Sequence, residues 1–270
     1  MNEERIVHQT YISKKLPWIY QKILNSNKEK NPDWEFILWD DDELADWINK
    51  VDPLLHQLFL KCPLGIQRGD LARLLLIYYK GGVYIDLDIE LIKPLDNIFK
   101  RWGRAAFLIT SEPRQQIIYL YHLNFFACNA FMYSPAGNPL LGRIINDIRT
   151  IYDMYGDIIL RQFNIFGGPL LTKHIHAWKP PHSLINIPDE TEFYPINDIK
   201  LKNLPTYSRD LQMIKTGPYP SSAYMIHYWI HGDFESKQRL NSFRGNEQKS
   251  IHENVYDLLQ PIYNLPDIRT

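Results

Sequence analysis

The chain has 270 residues and a formal net charge of −1, so it lacks the basic excess or stripe of a general nucleic-acid binder. At 45% hydrophobic and 23% charged it is composed for a packed core rather than for disorder. A chain of this length buries roughly three quarters of the surface it exposes when unfolded.

In chain order, Arg5–Gln9 reads as a short strand, and Pro17–Asn27 as a helix with proline in its first turn. Asn31-Pro32-Asp33 is a turn before an aromatic, β-branched strand over Trp34–Leu38. Asp40-Asp41-Asp42-Glu43 opens a helix running to about Lys50. Alternating β and α units predict a mostly parallel sheet covered by helices. Asp70–Lys80 places Leu71, Leu74, Leu75 and Tyr78 at helical spacing and stops at Gly81-Gly82. A strand from Val83 to Ile89 then puts Val83, Ile85, Leu87 and Ile89 on one face and Tyr84, Asp86, Asp88 and Glu90 on the other. Beyond Pro94 the pattern loosens. Strands are expected at Ala105–Thr110, Asn129–Tyr133 and Ala223–Ile230, and helices at Asn138–Met154, after Gly167-Gly168-Pro169, and at Ile251–Leu259. His174 and His176 fall on different faces of a helical stretch and read as structural. No run reaches the roughly 18 apolar residues of a membrane span, and Met1–Arg5 does not open as a signal peptide. Cys62 and Cys128 make neither a disulfide framework nor a metal-ligand spacing. A cytoplasmic location is therefore expected, with peripheral attachment to a membrane left open.

The chemistry concentrates at Asp86 and Asp88. A divalent cation holding a diphosphate wants hard oxygen ligands, which two aspartates two residues apart can supply. Asp-x-Asp alone is a weak signal, expected roughly once by chance, and Asp40-Asp41-Asp42 repeats it. The two differ physically. Asp40–Glu43 begin a helix, where carboxylates cap free N–H groups and suit the dipole, whereas Asp86 and Asp88 leave an apolar strand with no helix to cap. Arg68, Asp70 and Arg73 lie just upstream, Asp70 and Arg73 one helical turn apart. They form either a solvated intrahelical ion pair or a set of groups for sugar hydroxyls and phosphate.

Gly69-Asp70-Leu71-Ala72-Arg73, followed by Tyr79-Lys80-Gly81-Gly82-Val83-Tyr84-Ile85-Asp86-Leu87-Asp88, resembles the core of the glycosyltransferases with a DXD sugar-binding motif. These include the yeast Och1-like mannosyltransferases and bacterial capsular polysaccharide transferases (glycosyltransferase family 32). Ile6–Thr10, Asn31–Phe36 with Leu38–Asp41, Asn129–Pro135, Gly168-Pro169 and Ile226–Trp229 are similar to further blocks of that family. The resemblance implies an α/β chain with the GT-A nucleotide-sugar transferase fold, a mostly parallel central sheet flanked by helices. It implies one domain over 1–270, with 1–100 as the nucleotide-sugar half and 101–270 as the acceptor side and C-terminal segment. The implied activity is metal-dependent, retaining transfer of a sugar from a nucleotide-sugar donor (a UDP-sugar ahead of GDP-mannose) to a glycan, lipid-linked or protein acceptor. By the same resemblance Asp86 and Asp88 would hold Mn²⁺ or Mg²⁺ with His227. Asp70, Arg73, Arg68 and Gly82 would meet the donor sugar, His8, Gln9, Thr10 and Tyr11 the nucleotide, and Asn129 the acceptor side. After His227 the family continues to a Ser-Trp pair, whereas here Ile230-His231-Gly232 follows, which makes His231 a rival third ligand. A metal-dependent phosphodiesterase would need more converging carboxylates and histidines. A catalytically inactive sugar-binding module is the other alternative.

Overall fold

A computed structural model describes residues 5–162, 165–181, 183–230 and 234–263, apart from the side chains of 234–237 and 262. Its elements run β1 (Ile6–Thr10), α1 (Trp18–Lys30), β2 (Glu35–Trp39), α2 (Asp41–Val51), α3 (Pro53–Lys61), α4 (Gly65–Tyr79), β3 (Gly82–Ile85) and β4 (Ile89–Leu91). They continue α5 (Leu95–Trp102), β5 (Phe107–Ser111), α6 (Arg114–Tyr121), β6 (Ala127–Ser134), α7 (Pro139–Tyr155) and, past a 3₁₀ turn at Gly156–Arg161, α8 (Gly168–Trp178). Last come β7 (Ile185–Asn186), α9 (Glu190–Phe193), α10 (Tyr207–Thr216), β8 (Met225–His227), α11 (Phe234–Ser242) and α12 (Ile251–Tyr263).

The central sheet has the order β2-β1-β3-β6-β5-β7, and β6 alone runs against the other strands. This is the α/β architecture, with a mostly parallel sheet flanked by helices. Both faces are buried, which is why the strands read as continuous apolar runs. Tyr84, Phe107, Ile109 and Met132 pack under α2, α3, α4, α7 and α8. Their neighbours Val83, Ile85, Leu108, Phe131 and Tyr133 pack on the opposite face with Leu95, Ile98 and Phe99 of α5. A further cluster joins α1, α10 and α12.

The expected strand over Val83–Ile89 breaks. β3 ends at Ile85, and after a turn at Leu87-Asp88 the chain resumes as β4, which pairs antiparallel with β8 in a separate two-stranded sheet. Leu87 accordingly leaves the face shared by Val83, Ile85 and Ile89 and joins the cluster around α1 and α12. Alternation cannot register this turn, because the partner that pulls β4 away lies far along the chain. On its other edge β4 is held by the buried Asn27 of α1, whose amide donates to the Ile89 carbonyl and accepts from Leu91 N–H, both at 2.8 Å.

Asp40 takes the capping role expected of it, its Oδ1 accepting from Glu43 N–H at 2.9 Å in a capping box. The late strand shrinks to Met225–His227, and α3, α5, α6 and α10 are not among the expected elements, although α5 carries Leu95, Ile98 and Phe99 at helical spacing behind Pro94. These helices are short, and their burial is decided by what packs against them. Cys62 and Cys128 are both free and buried. No helix among the described residues is long and apolar enough to cross a membrane.

Candidate functional site

The carboxyl ends of β1 and β3 meet the beginning of β6 in the middle of the central sheet, and open α/β sheets bind ligands outside the carboxyl ends of their strands. Asp86 N–H still bonds to the Ala130 carbonyl of β6 at 2.8 Å, and Ile89 N–H closes the turn onto the Asp86 carbonyl at 3.2 Å. The segment after β8 then wraps Asp88. Tyr228 N–H donates to the Asp88 carbonyl at 3.0 Å, Ile230 N–H donates to Oδ2 at 2.8 Å, and His227 Nε2 lies 3.3 Å from Oδ1. Trp229 reaches this wrap with φ +53°, stacks its ring 3.9 Å from the His227 ring, and bonds its indole N–H to the Ile196 carbonyl at 2.9 Å. A left-handed tryptophan is uncommon, and here the stacking and the indole bond hold it.

The turn and the wrap bring one ligand atom each from Asp86, Asp88 and His227 within 4.8 Å of one another. Asp86 keeps 26% of its side chain open, against 10% for Asp88 and 8% for His227, so of the three it is the most accessible to solvent. His231, the rival third ligand, lies outside the described residues.

Around this trio sits a buried polar network. Arg73 Nη1 donates to the Asn129 carbonyl at 2.8 Å, Nη2 lies 3.2 Å from Asp86 and 3.5 Å from Asp70, and the guanidinium covers the Tyr84 ring at 4.5 Å. Asn129 Nδ2 donates to Asp70 at 2.8 Å. Tyr84 OH donates to Asp86 at 2.9 Å and lies 3.0 Å from Thr10 Oγ1. The expected alternative of a solvated ion pair fails, since Asp70 is 4% and Arg73 8% exposed. Gly167, ahead of α8, lets the chain approach this acid, because a Cβ there would meet Asp70 Oδ2 at 2.6 Å.

Burial pushes the Asp86 and Asp70 carboxyls up, against the pull of Arg73. Burial would raise Asp88 as well, but the neighbouring His227 and the backbone N–H of Ile230 bring it below the usual carboxylate range. His227 is the mirror case: burial alone would lower it, and Asp88 carries it well above an ordinary histidine. Asp70 and Asp86 thus face the one permanently charged guanidinium of Arg73, while Asp88 is paired with His227. Hard carboxylate oxygens beside an imidazole, with negative charge left over, fit a divalent cation.

Other predicted residues are placed differently. His8 is fully buried, Nε2 bonded to the Gly81 carbonyl at 3.0 Å while Nδ1 accepts from Trp39 N–H at 3.2 Å. Both of its ring nitrogens are thus engaged in holding β1 against β2 and the turn before β3. Arg68 donates through Nε to Asp41 and through Nη1 to the Cys62 carbonyl, both at 2.8 Å, and keeps 21% of its side chain exposed. Gly82 lies at the far end of β3 from Asp86, with φ +92°, where a Cβ would meet the Ile6 carbonyl at 2.8 Å. Its glycine is needed for backbone packing. Tyr11 is half-buried, edge-on to Tyr20 at 6.0 Å. Gln9 is 1% exposed and neither atom of its amide has a hydrogen-bond partner. Tyr84, Trp229, Tyr194 and Cys128, the last two lying against His227, were not singled out in the sequence. Tyr84 alternates into the polar set of β3, and Trp229 belongs to the His-aromatic block, so both had a signal. Tyr194 and Cys128 had none.

Residues 17–103 match the family model described as "Glycosyltransferase sugar-binding region containing DXD motif". Inositol phosphoceramide mannosyltransferase 1 of Schizosaccharomyces pombe is 34% identical over 113 residues, 40% of this chain and 34% of that protein. Mannosyl phosphorylinositol ceramide synthase SUR1 of Saccharomyces cerevisiae is 32% identical over 181 residues, 66% of this chain and 44% of its own length. The chain thus spans less than half the length of these curated relatives. Among solved structures, mouse xyloside xylosyltransferase 1 superposes with a TM-score of 0.49 at 10% identity, covering 83% of this chain and 96% of that one. On residues 17–103 the chain carries the DXD-containing sugar-binding region of glycosyltransferases, the family its motifs resemble.

Proposed function

We propose that this chain is a metal-dependent, retaining glycosyltransferase of GT-A type, acting from a nucleotide-sugar donor onto an acceptor hydroxyl. The observation that carries the reading is the convergence of Asp86, Asp88 and His227, from two distant segments, beyond the carboxyl end of β3. Asp86, Asp88 and His227 would hold Mn²⁺ or Mg²⁺, which when bound neutralises charge on the departing diphosphate. Asp70 and Arg73 present an acceptor and a fork of donors for the sugar hydroxyls. Gln9, Thr10 and Tyr11 line the nucleotide side, and Gln9 keeps a buried amide free for a ligand. Asn129, fixed by Asp70, faces the acceptor side. The acceptor's proton passes to the donor's own phosphate on the same face, which gives retention without a protein nucleophile. Residues 1–100 form the donor half of one domain and 101–270 the acceptor half. The mannosyl names of the relatives favour GDP-mannose over the uridine donors first expected, and their ceramide names favour a lipid-bearing acceptor.

Thermal-shift measurements with GDP-mannose and UDP-sugars, with and without Mn²⁺, followed by turnover, test this. Cation-dependent stabilisation by one nucleotide sugar is expected, with transfer falling at least about a thousandfold in Asp86→Asn/Asp88→Asn. Full transfer by that variant rejects the mechanism, and binding without any turnover leaves an inert module.

A further inference from the structure

Glycine inside a helix lowers stability relative to alanine, because its freer chain loses more entropy on ordering. Each such glycine therefore calls for a physical reason. Among the described residues, Gly142 of α7 and Gly69 of α4 sit inside a helix beyond its first residue. Gly142 has its reason in packing, since a Cβ there would press on the Tyr78 ring and hydroxyl at 3.1 and 3.2 Å. Gly69 has no reason of that kind. Its backbone is helical with no positive φ. A Cβ at Gly69 would meet Arg73 Nη2 at 3.7 Å and Thr10 Oγ1 at 3.8 Å, both ordinary van der Waals contacts with side-chain ends. The fold alone would accept alanine here and gain by it.

The bare backbone faces the candidate site. Gly69 is half-buried and lies one turn before Arg73 on the same face of α4, with Asp70 as its neighbour in the chain. Both groups that the Cβ would touch lead to Asp86. Arg73 Nη2 lies 3.2 Å from that carboxylate, and Thr10 Oγ1 reaches it through Tyr84 OH, at 3.0 and then 2.9 Å. A gap thus opens over Gly69, bounded by a hydroxyl on one side and a guanidinium on the other.

We propose that a sugar ring of the donor seats against the bare Cα of Gly69, which makes this glycine a specificity-determining residue of the site. Hydroxyls of a ring lying in the gap meet Thr10 Oγ1 and the Arg73 fork, while its body rests on the helix backbone at a distance only glycine allows. A methyl group there would fill the gap. A nucleotide sugar carries two rings of this chemistry, the ribose and the transferred sugar. The proposal rests on the transferase reading of the site and adds to it the surface that sets how closely the donor approaches α4.

The test is calorimetry in Mn²⁺ with GDP-mannose and UDP-sugars and with GDP and UDP alone, on the wild type and on Gly69→Ala. Thermal unfolding of both proteins is measured in chelator. Gly69→Ala should melt about 1–4 °C above the wild type and bind nucleotide sugar at least about tenfold more weakly. A loss confined to the nucleotide sugar seats the transferred sugar on Gly69, and an equal loss for the nucleoside diphosphate alone seats the ribose there. A variant that melts below the wild type shows that the fold itself requires glycine, and overturns the proposal. Unchanged affinity for nucleotide sugar overturns it as well, while the transferase reading then stands on the binding still seen. A wild type that binds no nucleotide and no nucleotide sugar removes both readings together.

Discussion

Arg73→Met retains an aliphatic stem of similar length and removes the charge that faces Asp70 and Asp86. In the native chain the Arg73 and Asp70 side chains are 9% and 5% exposed and their charged atoms lie 3.5 Å apart, with Asp86 at 3.2 Å. Removing one member of a buried charged set costs about 3–5 kcal/mol, because the remaining charges lose compensation without regaining water. Asp86 is a quarter open and recovers some hydration, which places the expected loss near 3 kcal/mol. At about 2–4 °C per kcal/mol for a chain of this size, the melting temperature falls by roughly 6–12 °C. The measurement is urea and thermal unfolding in chelator, since a bound cation would stabilise the folded state by mass action. Asp70→Asn added to Arg73→Met should return about 1 kcal/mol or more, as the amide still accepts from Asn129 without adding charge. An Arg73→Met protein within about 1 kcal/mol of the wild type in chelator, or one made worse by Asp70→Asn, would refute the idea that this guanidinium balances the buried acids.

Burial lowers His8 to a pKa of about 4, so between about 6.5 and 4 the unfolded chain binds a proton that the folded chain refuses. The stability from neutral His8 is full above pH 6.5 and is lost as pH falls, by up to about 3 kcal/mol near pH 4. His8→Gln should flatten that slope in urea midpoints taken at pH 7 and pH 4, and an unchanged slope counts against it. Gln9→Leu should leave stability equal or higher, since it removes a buried amide without partners, while weakening donor binding about tenfold by calorimetry; unchanged affinity would place Gln9 outside the nucleotide pocket. Gly167→Ala, whose Cβ would meet Asp70 Oδ2 at 2.6 Å, should cost about 1–3 kcal/mol and raise the donor KM. Asp70→Ala beside it should relieve the stability loss.

Much of the architecture was legible because it rests on local periodicity. The alternation of strands and helices up to Ile85, the capping role of Asp40 and the helix that presents Asp70 and Arg73 all follow from contacts a few residues apart. The turn at Asp86–Asp88 does not. It exists because β4 leaves the sheet to pair with β8, and a pattern of period two has no means of showing a partner so distant. The same limit governs the third member of the Asp86, Asp88 and His227 cluster. Only the family resemblance pointed to His227, and its place was decided by backbone bonds from Tyr228 and Ile230 to Asp88.

Polarity in the sequence was a poor guide to which groups remain available to a ligand. His8 carries chemistry by residue type, yet both of its ring nitrogens are bonded inside the fold, to Trp39 and Gly81. Gln9 carries no charge and drew attention only as part of a block, yet its buried amide has no partner. Asp86, bonded to Tyr84 and Arg73, still keeps 26% of its side chain exposed. A buried polar group left unsatisfied costs free energy that a fold tolerates where something else completes it. On that argument the residues to test first for ligand contact are Gln9 and Asp86, ahead of the more strongly charged side chains around them.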